Sequence, residues 1–380
     1  MPESPSTTTR PSGVRPPPAH PLCGADLATL CRVVGRCGWA SRRRTPALAL
    51  AFAAALGRLP STALEHGYTS RVLAQRGDLP PTLFILGHWR SGTTHLYNVM
   101  AKAPRFAFLP PVPTGLPWDA LGLARVLRRP LEAMLPRERW IDPVPVEPDS
   151  PQEDEIALAN MDPLSFYHGI YFPRQLQTML DRGVFLDGVS ERELARWWRR
   201  FDHLHRKAMA LRPTADTLLI KNPTYTGRVA DLHARLPSAR FVHLHRHPYE
   251  VFRSMRNFWH KLLAALSLQD FSHVDVDELV LSTYARMMRA YFEQSAALPE
   301  GVLIEMGYHE LKDDAVASIE RIYQTLGLKG FDADAERFRN YLRELGRYAN
   351  QRYEMDEASK RRIDERWGPI MERLGYEPRP

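Results

Sequence analysis

The sequence predicts an α/β fold in which a short parallel sheet is flanked by helices on both sides. Four brief apolar runs stand between helical stretches, and a run of this kind is typical of a buried strand. The predicted strands are Thr82–Leu86, Thr217–Lys221, Arg240–His245 and Val302–Met306. Helical connections between them imply parallel pairing, so all four should end at one edge of the sheet. Ligands of such sheets bind at that edge, and the binding cleft is expected there.

A glycine-bracketed turn follows the first predicted strand. Residues 83–100 read LFILGHWRSGTTHLYNVM, an apolar strand that runs through the turn into a helix. Backbone N–H groups of such a turn, together with the positive end of the helix, attract an anion. The spacing from Gly87 to Gly92 fits the start of the phosphate-binding loop G-x-x-x-x-G-K-[ST], but Thr93 replaces the lysine and the charge is on Arg90. With no acidic residue nearby to hold Mg²⁺, the loop predicts an anion site that needs no metal.

A second strand-to-helix turn follows the third predicted strand. Residues 239–255 read ARFVHLHRHPYEVFRSM, and Pro248 stands where the first helical turn should begin. Ser254 lies two helical turns after His247 on the same face, so Arg246 and Ser254 can reach one anionic group. This turn therefore predicts a second phosphate site.

At these two turns the chain resembles the sulfotransferase family, whose members transfer a sulfuryl group from 3′-phosphoadenosine 5′-phosphosulfate (PAPS) to an acceptor. In that family a [KR]-S-G-T-T loop holds the 5′-phosphosulfate, and an Arg followed eight residues later by a Ser holds the 3′-phosphate. The segment GYHELKDD is similar to the family's Y-x-x-L-x-x-D, whose tyrosine lies near the adenine. The segments FILGHWRSGTT and PTYTGR are more similar in sequence to the bacterial branch than to the cytosolic animal members. The resemblance implies a P-loop-like three-layer fold and the PAPS-binding residues Arg90, Ser91, Gly92, Thr93, Thr94, Arg246, Ser254 and Tyr308, with Arg347 as a further contact to the 3′-phosphate.

The sequence leaves open which residue takes the proton from the acceptor. Animal cytosolic members of the family carry K-x-H, whereas LLIKNPTYTGR keeps Lys221 and has Pro223 at the histidine position. The resemblance implies that Lys221 reaches the bridging oxygen of PAPS, and that Arg90 and Lys221 together offset negative charge during transfer. The tyrosylprotein branch uses a glutamate as the base. The candidates here are the carboxylates of SPQEDEIAL, namely Glu153, Asp154 and Glu155.

The same acidic cluster has a structural interpretation. Residues 150–153, Ser-Pro-Gln-Glu, also fit a capping box with proline at the first helical position, and acidic residues suit a helix N-terminus. If the cluster is structural, His88 is the next candidate base. A metal site is not expected, because His243 and His245 alternate along one strand without carboxylate partners or a third ligand at metal spacing.

Composition divides the chain into three parts. Residues 1–21 contain seven prolines and few aromatic residues, which predicts a disordered arm. Residues 22–79 should form an N-terminal helical region, and residues 80–380 the sulfotransferase domain with its C-terminal helices. At 380 residues and 44% hydrophobic composition, the chain can bury one large core. The Pro-, Leu- and Trp-rich stretch 110–151 is either a lid over the acceptor or a packed surface excursion.

Charge and cysteine usage indicate partners and location. A net charge of +7 favours anionic small molecules or peripheral contact with a membrane, whereas nucleic acid is not expected because basic and acidic residues are interleaved. The three cysteines Cys23, Cys31 and Cys37 form no CxxC pair, which favours the cytoplasm, including the inner face of its membrane.

One segment resembles a twin-arginine export signal. It reads SRRRTPALALAFAAALG, but it starts at Ser41, late for a signal. Its apolar run of about twelve residues is shorter than the about 20 that a helix needs to cross a bilayer. An amphipathic or core helix is therefore predicted.

These observations predict a PAPS-dependent sulfotransferase. Trp89, Phe258, Trp259 and the stretch 110–151 favour an apolar or lipid-like alcohol as the acceptor. Two alternatives stay open: a metal-nucleotide-dependent small-molecule phosphotransferase, and a nucleotide-binding scaffold without catalysis.

Overall fold

Five parallel strands form one sheet in the computed structural model, which describes residues 17, 19–73, 77–136, 138, 144–345 and 355–377. The order across the sheet is β2-β3-β1-β4-β5, with β1 in the centre. The strands are β1 (Thr82–Leu86), β2 (Phe106–Ala107), β3 (Thr217–Lys221), β4 (Arg240–His245) and β5 (Leu303–Gly307). The predicted parallel α/β sheet is confirmed.

Three of the predicted strands have the expected bounds, and two details differ. Strand β5 begins and ends one residue later than predicted, and β2 was not predicted. Strand β2 has only two residues, Phe106 and Ala107, so it offers no alternation of apolar and polar positions to detect.

Helices surround the sheet. They are α1 (Leu27–Cys37), α2 (Thr45–Val72), α3 (Thr93–Met100), α4 (Pro111–Gly115), α5 (Leu123–Val126), α6 (Arg128–Ala133), α7 (Asp154–Ala159), α8 (Tyr167–Tyr171), α9 (Leu176–Phe185), α10 (Glu191–Leu211), α11 (Val229–Arg235), α12 (Pro248–Leu266), α13 (Val276–Ser295), α14 (Tyr308–Asp313), α15 (Ala315–Thr325), α16 (Phe331–Leu345) and α17 (Glu357–Arg373).

The sheet separates two apolar clusters, which gives the predicted three layers. Alternate residues of β1 point to opposite faces: Leu83 and Ile85 belong to one cluster, Phe84 and Leu86 to the other. The smaller cluster contains residues of α3, α15 and α16, and the larger one residues of α12, α13 and α17. All five residues of β1 are buried, as expected of a central parallel strand.

The N-terminal helical region packs against the larger cluster. Leu30 of α1 and Leu48 of α2 belong to it. Residues 1–16 and 18 of the predicted arm lie outside the described residues, and its end differs from the prediction. His20 is buried, its Nε2 is 3.0 Å from the Leu266 carbonyl oxygen, and its ring contacts Tyr171 edge-on. These contacts compensate the cost of ordering the last residues of the arm.

Helix α2 is longer than the apolar run from which it was predicted. It spans 28 residues, with Leu48, Ala51 and Ala55 buried against the domain and its opposite face exposed. Among the described residues it is one helix whose length and composition would allow it to cross a bilayer, and 17% of its most apolar window is buried. The prediction of an amphipathic or core helix is wrong in part: one face of α2 is core, but the opposite face is exposed and apolar rather than polar.

The stretch 110–151 leaves and rejoins the domain at one point. The Gln152 backbone N–H donates to the Leu109 carbonyl oxygen at 2.9 Å, which closes the base of the excursion. Between these residues the chain forms the short helices α4, α5 and α6, in agreement with the expectation that no single long helix fits. After Gln152 the chain continues directly into Glu153.

Candidate functional site

The first predicted turn holds three residues with positive φ within six positions. Gly87, Arg90 and Gly92 have φ values of 139°, 73° and 92°. A Cβ on Gly87 would lie 2.2 Å from the Leu244 carbonyl oxygen, so this position has room only for glycine. The Gly87 N–H donates to Thr226 Oγ1 at 2.8 Å, which ties the turn to the chain that follows β3. The turn is therefore fixed by its neighbours on β4 and on the chain that follows β3.

Gly92 caps helix α3 and touches Tyr308 at the end of β5. A Cβ on Gly92 would lie 2.1 Å from Tyr308 Cδ2, which means that the tyrosine ring rests against the glycine backbone. The Arg246 guanidinium carbon lies 5.1 Å from the centre of the same ring, a cation–π contact. The structure thus brings together three predicted donor-site residues from the ends of β1, β4 and β5.

Arg90 contacts the second predicted phosphate site. Its Nε donates to Ser254 Oγ on α12 at 2.8 Å. Arg246 itself pairs with Glu250 at 2.6 Å, and the binding of one anionic group by Arg246 and Ser254 stays a prediction. Pro248 begins α12, as the sequence predicted. The two turns therefore form one continuous basic and hydroxyl-rich surface.

The hydroxyl residues of the first turn are at the start of α3. Ser91 and Thr93 are 2% and 4% exposed, and Thr94 is partly buried. They follow Arg90 at the N-terminal end of a helix that carries no acidic residue in its first turn. This end is therefore electropositive. The remaining predicted contact, Arg347, lies outside the described residues.

Lys221 at the end of β3 forms an ion pair with Glu153. The Lys221 ammonium donates to Glu153 Oε1, and the two side chains are 3% and 13% exposed. Of the three candidate carboxylates, Glu153 is the one that the structure brings to Lys221. It stands at the base of the 110–151 excursion, where an acceptor hydroxyl could approach it.

The capping-box interpretation of the acidic cluster is wrong. Helix α7 begins at Asp154, and its N-cap residue Glu153 makes no side-chain capping hydrogen bond. The Ser150 hydroxyl donates to the Glu147 carbonyl oxygen instead of capping the helix. The reason is geometric: residues 150–152 lie outside the helix, and the Gln152 backbone N–H is bonded to Leu109.

Asp154 and Glu155 are buried behind Glu153 and are held by residues that the sequence did not single out. Asn222 Nδ2 donates to Asp154 Oδ1 at 2.9 Å and to Glu155 Oε2 at 3.1 Å. The Tyr225 hydroxyl donates to Asp154 Oδ2 at 2.5 Å, and the Ser165 hydroxyl to Glu155 Oε1 at 2.6 Å. The signal for Asn222 and Tyr225 was their place in NPTYTGR directly after Lys221.

Burial raises the pKa of Glu155 to about 7, against the effect of Arg228 and the hydrogen bonds from Ser165 and Asn222, which favour the ionised form. A carboxyl with this pKa is a suitable proton acceptor in principle. However, Glu155 is 1% exposed and its oxygens are engaged by Ser165 and Asn222. Because it lies behind Glu153, Glu155 is better placed to hold the surrounding side chains in position than to contact an acceptor.

The histidines near the two turns are built into the scaffold. His88 is 1% exposed, its Nδ1 lies 3.0 Å from the Trp89 carbonyl oxygen, and burial lowers its pKa to about 4. His243 contacts Glu305 at 3.0 Å, contrary to the expectation that it has no carboxylate partner, because β5 places Glu305 beside it. Burial lowers the pKa of His245 to about 4, and its Nδ1 is 2.8 Å from the Tyr376 hydroxyl. Among the described residues, no group of three His, Cys, Asp or Glu side chains is arranged to hold a metal ion.

The aromatic residues that suggested an apolar acceptor are part of the core. Trp89, Phe258 and Trp259 are 4%, 6% and 1% exposed and belong to the larger apolar cluster. Trp89 packs against Phe166, with ring centres 5.2 Å apart. These residues shape the interior beside the first turn and do not form an open surface for an acceptor.

Comparison with known proteins identifies similar chains. A family model described as the sulfotransferase family matches residues 81–333. The chain is 30% identical over 305 residues to the omega-hydroxy-beta-dihydromenaquinone-9 sulfotransferase Stf3 of Mycobacterium bovis and of Mycobacterium tuberculosis, which covers 78% of this chain and 76% of each relative.

The fold is similar to two crystal structures. One is sulfotransferase STF9 from Mycobacterium avium, with a TM-score of 0.67 and 16% identity over 93% of this chain and 97% of the other. The second is sulfotransferase STF1 from Mycobacterium tuberculosis H37Rv, with a TM-score of 0.58 and 16% identity over 89% and 91% of the two chains.

Proposed function

The chain belongs to the sulfotransferase family, and from this premise we propose that it transfers a sulfuryl group from PAPS to the hydroxyl of an apolar, lipid-like alcohol. The observation that carries the proposal is the meeting of Arg90, Gly92, Ser254, Arg246 and Tyr308 at the carboxyl edge of the sheet. These residues come from turns far apart in sequence. A surface with two guanidinium groups, several hydroxyls and a helix N-terminus suits a ligand with two anionic groups.

The donor-binding residues have separate roles in this proposal. The loop from Arg90 to Thr94 would hold the 5′-phosphosulfate, and Gly87 and Gly92 allow this loop to pack closely on Leu244 and Tyr308, where a Cβ would collide. Arg246 and Ser254 would hold the 3′-phosphate. Arg246 has five N–H donors, and its Nε and Nη2 contacts to Glu250 leave capacity for a second anion. When bound, PAPS supplies the electrophilic sulfur and the leaving phosphate.

Glu153 is the proposed general base. In the proposed reaction its carboxylate accepts the proton of the acceptor hydroxyl as the hydroxyl oxygen bonds to sulfur. Glu153 lies at the base of the excursion, and 13% of its side chain is exposed. The Lys221 ammonium orients this carboxylate through one of its three donors. In the proposed reaction the same ammonium faces the oxygen that leaves with the phosphate, where negative charge develops.

A buried layer supports the proposed base. Asn222 follows Lys221 in the chain and contacts both Asp154 and Glu155, the two residues after Glu153. The same residue therefore links the segment of the lysine to the segment of the base. Catalysis of this kind depends on the positions of the reacting groups. A rigid link between the two segments keeps the Glu153 carboxylate and the Lys221 ammonium at fixed positions relative to each other.

The acceptor class is proposed from the relatives and from the surface. Stf3 is by its name a sulfotransferase of a hydroxylated menaquinone derivative. In this chain α2 and the excursion expose Leu50, Leu56, Leu64, Val126 and Met134. The three cysteines are free, in keeping with a location in the cytoplasm, which is part of the proposal.

One experiment tests donor and acceptor together. Purified protein is incubated with PAPS and a lipid extract, and the products are analysed by mass spectrometry for a gain equal to SO₃. The expected result is a sulfated lipid together with an equal amount of adenosine 3′,5′-bisphosphate. Sulfation confined to the water-soluble fraction of a cell extract would overturn the acceptor class.

Binding controls separate the other functions. Thermal stabilisation by Mg·ATP but not by adenosine 3′,5′-bisphosphate would favour the phosphotransferase. Binding of PAPS without release of bisphosphate, with any acceptor fraction, would favour the scaffold.

A further inference from the structure

The outward face of α2 is apolar over about five helical turns at 3.6 residues per turn. Leu50, Leu56 and Leu64 are 50%, 55% and 77% exposed. Contiguous apolar surface of this extent on a soluble protein usually marks an interaction site. We call this face the α2 surface; its exposed residues are Pro46, Ala49, Leu50, Ala53, Leu56, Gly57, Leu59, Pro60, Ala63 and Leu64.

The exposed permanent charges of the α2 segment itself have one sign. Between Trp39 and Val72, a range that the structure describes in full, the sequence contains a single carboxylate, Glu65, and it is buried. The exposed residues with a permanent charge in this range are the arginines Arg42, Arg43 and Arg71, which lie before and after the apolar face. An apolar stripe with basic ends is complementary to anionic lipid headgroups over an acyl layer.

Two exposed aromatic residues flank the same face. Trp39 and Tyr68 are 51% and 57% exposed, one before the helix and one near its end. Tryptophan and tyrosine combine an apolar ring with one polar group, and they favour the boundary between water and lipid. Their positions fit a helix that lies along this boundary.

The inner face of α2 is held to the domain by buried ion pairs. Lys207 Nζ donates to Glu65 Oε1 at 2.7 Å and to the Trp118 carbonyl oxygen at 3.0 Å. Arg58 donates to Asp119 at 2.6 Å. Breaking these pairs would leave charges buried without partners, which is costly. The helix therefore stays on the domain, and its exposed face can rest on a membrane but the helix does not cross it.

The neighbouring excursion also exposes apolar and basic residues. Glu65 accepts hydrogen bonds from the backbone N–H groups of Leu121 and Gly122, so α5 begins beside α2. The next residues expose Val126 (80%) and Met134 (62%), among the exposed arginines 125, 128 and 129. The same excursion ends at Glu153, the proposed base.

We propose that the α2 surface docks on an anionic membrane, so that the proposed active site faces a lipid reservoir. A second copy of the chain fits this surface less well. Both ends of the helix carry exposed arginine, so parallel or antiparallel pairing of two copies would bring like charges together. Anionic lipid provides the opposite charge at both ends.

Vesicle flotation tests the proposal without PAPS or turnover, so its failure is separable from failure of the proposed function. The full chain is mixed with vesicles of phosphatidylcholine alone or with added phosphatidylglycerol. We expect binding to the anionic vesicles that weakens as salt rises. The triple variant Leu50→Ser/Leu56→Ser/Leu64→Ser should bind about 30–100-fold more weakly, because each leucine loses apolar burial in lipid.

Matched control variants separate binding through the α2 surface from nonspecific binding to vesicles. Leu345→Ser removes an exposed leucine of α16, 40% exposed, and should leave binding unchanged. Arg42→Gln/Arg43→Gln should weaken binding about tenfold or more, at about fivefold per arginine near an anionic surface, whereas Arg339→Gln/Arg343→Gln on α16 should not. Unchanged thermal denaturation of each variant shows that it is folded.

Three outcomes would overturn the proposal. The first is wild-type protein that does not float with anionic vesicles. The second is equal weakening by the leucine triple variant and by Leu345→Ser. The third is a dimer in sedimentation velocity that the triple variant abolishes, without vesicle binding, since the surface would then join two copies.

Discussion

Arg246 is the residue whose substitution reports most directly on donor recognition. Its guanidinium lies over Tyr308 and pairs with Glu250. We expect Arg246→Ala to weaken binding of PAPS by about 1.5–3 kcal/mol, the range for a hydrogen bond to a charged group. Binding of adenosine 5′-phosphosulfate, which lacks the 3′-phosphate, should change much less. Isothermal titration of both ligands measures the difference.

The control for this prediction is Arg256→Ala. Arg256 lies on the same helix, is exposed and pairs with Asp277 at 2.9 Å. It should bind both ligands as the wild type does. An equal loss for both ligands in the Arg246 variant would remove the assignment of Arg246 to the 3′-phosphate.

Glu153→Gln removes no capping hydrogen bond and keeps a side-chain oxygen that can accept from Lys221, so it tests proton acceptance without removing the partner of the lysine. Glu153→Gln should fold and bind PAPS normally but lower kcat by about 10²–10⁴-fold, the usual contribution of a general base. Initial rates at saturating PAPS measure the effect. Glu147→Gln, an exposed carboxylate with 57% of its side chain accessible, is the control and should be fully active. Wild-type rate in Glu153→Gln would transfer the test to Glu155, Asp154 and then His88.

Glu155 predicts a pH dependence of stability. Its pKa in the folded chain, about 7, is above the ordinary value of 4.5, so the folded state binds the proton more tightly than the unfolded state. This contribution to stability is complete below pH 4.5 and is lost as the pH rises through 7. Between pH 5 and 8, Glu155→Gln should therefore gain stability relative to the wild type by about 2–3 kcal/mol. Urea denaturation at the two pH values measures it.

Glu193→Gln provides the opposite case. Burial of Glu193 is outweighed by hydrogen bonds from Arg36, Arg182 and Ser190, and its pKa is lowered to about 2. Glu193 is thus ionised in both states across pH 5–8, and its substitution should change stability equally at both pH values. A wild-type-minus-variant difference for Glu155 that is constant with pH would contradict the prediction.

At the scale of elements, the first turn depends on Gly92. Gly92→Ala would place a Cβ at φ 92° and 2.1 Å from the Tyr308 ring. We expect a loss of about 1–3 kcal/mol in stability from the strained backbone, and weaker PAPS binding because Tyr308 must move. Thermal denaturation and titration measure the two effects. Gly57→Ala is the control: its Cβ meets nothing within 4 Å, and stability should be unchanged or higher. Normal PAPS binding by Gly92→Ala would show that the contact with Tyr308 is not part of the donor site.

The strands and turns were predictable from sequence because their signals are local. Apolar runs gave the bounds of β1, β3 and β4, and the chain directions then fixed which turns share an edge. The pairing of Arg90 with Ser254 could not be predicted, since the two residues are 164 positions apart and only folding brings them together. The same holds for Asn222, whose two carboxylate partners precede it by 68 and 67 positions.

At the scale of the molecule, charge in the cleft is supplied by side chains. Arg90 and Lys221 stand at the ends of β1 and β3, where a phosphotransferase would bring Mg²⁺. We therefore expect EDTA to leave the release of adenosine 3′,5′-bisphosphate unchanged, measured by chromatography with and without chelator. Loss of activity in EDTA, restored by Mg²⁺, would favour the phosphotransferase.

The exposure of α2 is a property of the whole molecule that sequence alone did not reveal. A run of small apolar residues such as ALALAFAAAL is compatible with a core helix, a surface helix or a signal. The orientation of α2 is set by Glu65 and Arg58, which form ion pairs with Lys207 and Asp119 and so turn one face of the helix towards the domain. Each of those partners lies more than 50 positions away in the chain.

The closed base of the 110–151 excursion has an evolutionary consequence. Because Gln152 bonds to Leu109, the exposed part of the excursion, residues 125–134, can vary in length and composition while the two ends of the excursion stay together and the buried residues Trp118 and Asp119 keep their contacts. Its outer part faces solvent at Val126 and Met134, and its inner end delivers Glu153. Natural selection can thus vary this outer part while Glu153 and the turns at the carboxyl edge of the sheet keep their positions.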